Sequence, residues 1–245
     1  MRFAAAPPSS HGTLVKFFKT HDAFCHKLPA HLSLKEGVLM EPLAVAVHIC
    51  KMANVGMRDE VVVFGAGTVG LLCAAVAKCM GARKIVVVDI NQERLAFAKE
   101  YIKGCGGFCP EQEKTSAEDT AQAMIAQNDL NKRGATVVLE ATGHETCINA
   151  GIHVLQPGGN FVQAGLGRAN ISFPIVALSE KEIHFHGSFR YSAGDFEIAR
   201  QLLERRKVEV GQLVSGVVKF EDAKLAWEMT RKGEGIKNVI EGLRD

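Results

Sequence analysis

The chain has 245 residues, enough for one large domain or two small ones. Hydrophobic residues make up 47% and charged residues 23%, a balance that excludes disorder, collagen and coiled coil as the main state. The formal net charge of +2 gives no reason to expect nucleic acid or an anionic membrane as partner.

Residues 1–43 hold prolines at 7, 8, 29 and 42 and show only weak periodicity. The opening MRFAAAPPSSHG has no apolar core of signal-peptide length, so a cytoplasmic location is the default expectation. Val61–Phe64 is a β-branched run ending at Gly65, and a helix is expected over about 68–80, stopping near Gly81. The uncharged run 61–77 is too short to span a membrane, and glycines at 65, 67 and 70 interrupt it. Ile85–Val88 reads as a second strand ending at Asp89. Residues 92–103 place Leu95, Ala98 and Ile102 on one helical face, and Gly104 closes the helix. Ser116 and Asp119 have capping-box spacing for a helix to about Gln127. Thr136–Ala141 is a strand. The next helix carries Ile148, Ile152 and Leu155 and breaks at Pro157-Gly158-Gly159. Phe161–Ala164 and Ile183–Phe189 are the last strands of the series. Beyond 188, helices around 195–206 and 221–231 flank a Val-rich strand near Leu213–Phe220.

This rhythm predicts an α/β fold, a doubly wound parallel sheet over roughly 44–187 with helices on both faces. Seven cysteines stand at 25, 50, 73, 79, 105, 109 and 147. Their number is odd and no metal-finger spacing repeats, so they read as reduced thiols, mostly buried.

Gly65-Ala66-Gly67-Thr68-Val69-Gly70 fits G-x-G-x-x-G after an apolar strand and at the start of a helix. Gly65 permits the tight turn, Gly67 lets a pyrophosphate approach the backbone, and Gly70 lets helix and strand pack closely. Unpaired N–H groups at the helix start attract the pyrophosphate. Asp89, at the end of the second strand, can accept from both adenosine ribose hydroxyls, and its charge favours NAD over NADP. The alternative is a structural turn with Asp89 as a helix N-cap. Arg94 fits either the adenine and ribose edge or a solvated helix face.

The whole chain resembles the zinc-dependent polyol dehydrogenases of the medium-chain dehydrogenase superfamily: sorbitol, xylitol and arabinitol dehydrogenases. The marks are Ala6-Pro7-Pro8 with Gly12-Thr13-Leu14, Phe24-Cys25-His26-Lys27-Leu28-Pro29, Glu41-Pro42-Leu43, Gly65–Gly70, Ala164-Gly165-Leu166-Gly167 and Phe189-Arg190-Tyr191. The resemblance implies three segments. Residues 1–43 would be part of a GroES-like catalytic domain, 44–187 an NAD-binding Rossmann domain, and 188–245 a return to the catalytic domain. Family members begin with roughly a hundred further residues, about a small domain. That stretch carries the cysteine and the His-Glu pair holding the catalytic zinc. The chain is therefore expected to be a fragment, an alternative start or a short isoform, with impaired activity.

Carried over residue by residue, the resemblance sets Glu41 beside the zinc and its water, contacting the metal or the substrate hydroxyl indirectly. Val69, Asp89 and Arg94 would contact NAD. Ala164, Gly165 and Leu166, with Ser188, Phe189 and Arg190, would line the nicotinamide half. Arg190 and Tyr191 would also reach a polyol substrate. The implied reaction is zinc-assisted hydride transfer from a sugar alcohol to NAD, giving a ketose. A homo-oligomer, dimer or tetramer, is expected. Two rival readings are a catalytically silent NAD-binding regulatory protein and a zinc-free quinone-reductase-like enzyme.

Other patterns read as structural. Gly143-His144-Glu145 mimics a zinc-binding triplet but follows the fourth strand, where it serves as a helix start. His184 and His186 share a strand face without a third ligand nearby. Cys105 and Cys109 flank Gly106-Gly107 and read as small buried thiols.

Overall fold

The computed structural model describes residues 5–6, 8–111 and 115–243; Pro7 of the Ala6-Pro7-Pro8 mark lies outside them. The chain divides into two compact units. One is Leu39–Glu209. The other joins the chain up to Val38 with the chain from Val210 onward.

The Leu39–Glu209 unit carries a six-stranded sheet. Its strands are β1 (Glu60–Phe64), β2 (Lys84–Val88), β3 (Gly106–Phe108), β4 (Ala135–Glu140), β5 (Leu155–Gln163) and β6 (His184–Gly187). Every pairing is parallel, in the order β3-β2-β1-β4-β5-β6. This is the doubly wound Rossmann order, and the winding reverses between β1 and β4. The sequence explains the burial. EVVVF of β1 is buried at every position, as a strand covered on both faces must be. Each fully buried valine there contributes roughly 1.5–3 kcal/mol of burial.

The helices are α1 (Met40–Met52), α2 (Thr68–Cys79), α3 (Gln92–Tyr101), α4 (Ala117–Gln127), α5 (Glu145–Val154), α6 (Ile175–Glu180) and α7 (Asp195–Glu204). Asn91 caps α3 through bonds from Glu93 and Arg94 N–H. Ser116 caps α4 by accepting from Asp119 N, at the spacing read from the sequence. Among the described residues, no helix is long and apolar enough to cross a membrane.

Several expectations need correction. Helix α1 was not foreseen. Its residues MEPLAVAVHICKM are apolar nearly all round, so no polar stripe marks the period. Pro42 is tolerated because first-turn N–H groups have no helical partner. Strand β3 is built on Gly106-Gly107, which carry no strand preference, and it exists by pairing with β2. The strand expected over Ile183–Phe189 is only His184–Gly187, and Ala164 falls just beyond β5. Leu155, assigned to a helix face, opens β5 instead. The thiols are free, but only Cys50 and Cys73 are buried; Cys25 and Cys79 are exposed and the other three half-buried.

The second unit holds a parallel pair, β7 (Val214–Val218) and β8 (Lys237–Ile240), linked through α8 (Ala223–Arg231). Ser33 and Glu36 form a full capping box on the short helical turn Leu34–Gly37.

Candidate functional site

One row of paired residues crosses the sheet at its carboxyl edge: Phe108, Val88, Phe64, Glu140, Gln163 and Gly187. The residue after each of five strands donates its N–H to a neighbouring strand's final carbonyl. Gly65 bonds Val88 O at 2.7 Å, Asp89 bonds Phe108 O at 3.1 Å, and Ala141 bonds Phe64 O at 3.0 Å. Ala164 bonds Glu140 O at 2.9 Å and Ser188 bonds Gln163 O at 2.7 Å. The predicted site residues Gly65, Asp89, Ala164 and Ser188 therefore share one rung beyond the ladder.

The glycines of the turn have different jobs. Gly65 has φ +98°, a left-handed conformation that glycine adopts without strain. A Cβ on Gly70 would stand 1.8 Å from Gly65 O, so α2 can approach the turn only with glycine there. A Cβ on Gly67 would meet nothing within 4 Å. Gly67 is the N-cap of α2 and makes no side-chain cap bond. The open space and the uncapped helix start lie together, with half-buried Val69 in the first turn. This arrangement fits a pyrophosphate.

Asp89 is not an N-cap, since Asn91 takes that place. Its Oδ2 accepts from Ala66 N at 2.7 Å and its Oδ1 from Asn91 N at 2.9 Å. The carboxylate thus staples the glycine turn to the exit of β2. Each oxygen keeps lone-pair capacity for a ribose hydroxyl. Arg94 lies in the first turn of α3, half-buried.

On the other side of the switch point, Ala164 and Gly165 both bond Glu140 O at 2.9 Å. Leu166 follows them and is 70% exposed. A Cβ on Gly165 would come within 2.1 Å of Gly143 N, so the loops after β4 and β5 are in backbone contact. Ser188 Oγ and Gln163 Oε1 are buried and have no hydrogen-bond partner among the described residues. Two such orphaned atoms beside the carboxyl edge fit a polar ligand.

Phe189, Arg190 and Tyr191 form the loop after β6. Phe189 is exposed, and Arg190 has φ +61°. Tyr191 packs edge-on against Phe196, with ring centroids 4.7 Å apart. The loop is anchored by a group that sequence reading missed. Asp195, fully buried at the start of α7, accepts from Ser192 N and from Lys51 Nζ, both at 2.7 Å. His48 Nδ1 stands 2.9 Å away. Burial pushes the Asp195 carboxyl up, but Lys51 and Ser192 together hold it below its usual value. His48 and Lys51 lie one turn apart on α1, and that spacing was the available signal.

Glu41 is different. It is exposed in the first turn of α1. Among the described residues, no three His, Cys, Asp or Glu side chains gather as a metal site. These residues do not fit a catalytic zinc, which takes three protein ligands. His144 begins α5, and its Nδ1 lies 2.9 Å from Thr146 Oγ1. His184 and His186 stand on edge strand β6, exposed and half-buried.

Comparison with known proteins adds three findings. Residues 68–205, more than half of the chain, match the family model described as zinc-binding dehydrogenase. D-xylulose reductase A of Aspergillus niger is 50% identical over 243 residues, covering 99% of this chain and 66% of that protein. The Aspergillus oryzae D-xylulose reductase A is 49% identical over the same shares. The chain thus spans about two thirds of the length of these curated relatives, at 66%. Among solved structures, L-idonate 5-dehydrogenase from Escherichia coli superposes with a TM-score of 0.83 at 27% identity, covering 97% of this chain and 65% of that one.

Proposed function

This chain belongs to the zinc-binding dehydrogenase family, and from that premise we propose that residues 44–187, within its Leu39–Glu209 unit, form the NAD-binding part of a polyol dehydrogenase. The reaction is hydride exchange between a nicotinamide and a sugar alcohol, with a ketose as the oxidised product. One observation carries the nucleotide reading: open space at Gly67, on an uncapped helix start, next to the carboxylate of Asp89. The polyol part is supported by about 50% identity to D-xylulose reductases along 99% of this chain. That identity also speaks against a quinone-reductase-like enzyme.

When bound, NAD supplies the hydride acceptor. The chain supplies position and charge. N–H groups at the start of α2 hold the pyrophosphate, while Val69 closes the first turn. Asp89 accepts from the adenosine ribose and repels a 2′-phosphate. Arg94 flanks the adenosine. Ala164, Gly165, Leu166, Ser188 and Phe189 line the nicotinamide half, and Leu166 offers it an apolar face. Arg190 and Tyr191 orient the hydroxyl-rich substrate, which needs several polar contacts. Glu41 is assigned a place near the reacting hydroxyl.

The described residues form no three-ligand set for zinc. A second reading for the 245-residue chain is an NAD-binding protein that is catalytically silent. In functional terms, residues 1–43 and 188–245 belong to the catalytic domain and 44–187 to the nucleotide domain. A homo-oligomer, dimer or tetramer, is part of the proposal. It is supported by the terminal strand β6, where Phe185 is exposed together with Ile175 and Val176 of α6. The test is fluorescence titration with NAD, then NADH formation on xylitol and sorbitol. Binding of NAD without turnover selects the silent reading, and failure to bind NAD defeats both.

A further inference from the structure

A buried charge underlies the site without a role in the scheme above. Glu140 ends β4 and is 0% exposed. Among the described residues it forms no ion pair. Instead its carboxylate is ringed by donors. Oε1 accepts from Thr142 N at 2.8 Å and from the Thr142 hydroxyl. Oε2 accepts from Gly143 N at 2.9 Å and from Gln163 Nε2 at 2.8 Å. The Thr142 hydroxyl accepts in turn from His144 N at 3.0 Å, which leaves its own proton for Glu140. Three of the four partners are N–H groups that can only donate. A neutral carboxyl would set its own proton against them, so the ring suits the acceptor-only, ionised form.

We propose that Glu140 is a positioning residue that also sets the redox preference of the cofactor site, favouring the oxidised nicotinamide over the reduced one. The inference rests on the NAD reading above. The oxidised ring carries a positive charge and the reduced ring is neutral. Glu140 joins the exits of β4 and β5, and its own carbonyl holds Ala164 and Gly165. Those residues belong to the nicotinamide half, on the side of the switch point away from Asp89. A carboxylate at 0% exposure is screened little by water or salt, so its field reaches the ring more fully than a surface charge would. No cation among the described residues cancels it by an ion pair.

The experiment is titration of the 245-residue chain with NAD+ and with NADH, read as the ratio of the two affinities. Three variants separate charge from structure. Glu140→Gln removes the charge at nearly constant size. Glu140→Asp keeps the charge but shortens the reach to the donors. Gln163→Lys leaves Glu140 in place and sets an ammonium against it. The NAD+ to NADH affinity ratio should fall by about threefold or more in Glu140→Gln and in Gln163→Lys. In Glu140→Asp both affinities should weaken by similar factors, with the ratio held. A merely structural role would weaken both cofactors alike in all three variants. If Glu140→Gln fails to fold by circular dichroism, the ratio in Gln163→Lys decides. Unshifted ratios in the charge-changing variants that fold overturn this inference while leaving the NAD reading intact. An unmodified chain that binds neither cofactor overturns both.

Discussion

Two substitutions in the glycine turn, Gly67→Val and Gly70→Ala, should fail for opposite reasons. At Gly67 the added side chain enters open space, since a Cβ there meets nothing within 4 Å. The backbone, at φ −83° and ψ −176°, lies in the extended region that valine prefers. The folded state should change by no more than about 1 kcal/mol, a shift of roughly 2–4 °C in Tm at this size. The new methyls occupy the space left for a pyrophosphate, so NAD affinity should fall more than about tenfold, or 1.4 kcal/mol. At Gly70 the Cβ would stand 1.8 Å from Gly65 O and 2.9 Å from Gly65 C. Both are backbone atoms, so α2 or the turn must move by more than an ångström. Overpacking of this kind costs about 1–3 kcal/mol or more, and Tm should drop by roughly 5 °C or beyond. Thermal melts and fluorescence titration of both variants give the comparison. Normal NAD binding by Gly67→Val would mean that the turn is purely structural. An undamaged melt for Gly70→Ala would refute the packing argument.

Three further outcomes can be checked. Asp89 should make NAD bind at least about tenfold more tightly than NADP. Asp89→Ser should narrow that gap and lower NAD affinity too, because Ala66 N loses its acceptor; equal affinities in the unmodified chain would sink the assignment. Asp195→Ala should cost about 3 kcal/mol in urea unfolding, because Lys51 loses a buried counter-charge and Ser192 N its acceptor. The folded Asp195 carboxyl sits below its usual value, so its contribution is complete above the unfolded pKa of about 4 and disappears as pH falls through the folded one. Asp195→Asn should flatten that acid limb, and an unchanged limb would exclude Asp195 as its source. Finally, the 245-residue chain should hold no stoichiometric zinc and oxidise xylitol and sorbitol negligibly. Metal analysis showing one tightly held zinc per chain, with brisk NADH formation, would reveal a site that the described residues do not suggest.

The doubly wound sheet and its glycine turn were legible in the sequence because their signals are local. Val61–Phe64 is a β-branched run, the glycines follow it at once, and Asp89 closes the next strand. Each depends on backbone conformation within a few residues, which residue type controls directly. The misses depend on partners distant in sequence. Gly106-Gly107 becomes a strand only because β2 offers an open edge. Helix α1 lacks a polar stripe because it packs extensively against α2 and α7. Asp195 looked like an ordinary acidic residue at a helix start. It is buried because Lys51 and His48, more than a hundred positions earlier, reach it. Glu140 reads as a strand end, and only the fold shows four donors closing on it.

The parallel register explains why residues from Gly65 to Ser188 can share one site. Six strand ends pair in one row, and the residue after five of them is bonded to the strand beside it. A strand reverses the face of each successive side chain, so register decides what every exit residue presents. A one-residue slip of β4 would turn Glu140 away from Gln163 and point an apolar neighbour at it. It would also shift Ala141 off Phe64 O and open the crevice wall between β1 and β4. Register is fixed here by burial on both faces, since Val137, Val138 and Leu139 have almost no exposure. The apolar core therefore does more than stabilise the sheet. It holds Asp89 at the exit of β2 and Glu140 at the end of β4, on either side of β1. Two carboxylates of the same chemistry thereby acquire different surroundings, one half-buried and bonded to Ala66 and Asn91 N–H, the other sealed among the donors of Thr142, Gly143 and Gln163.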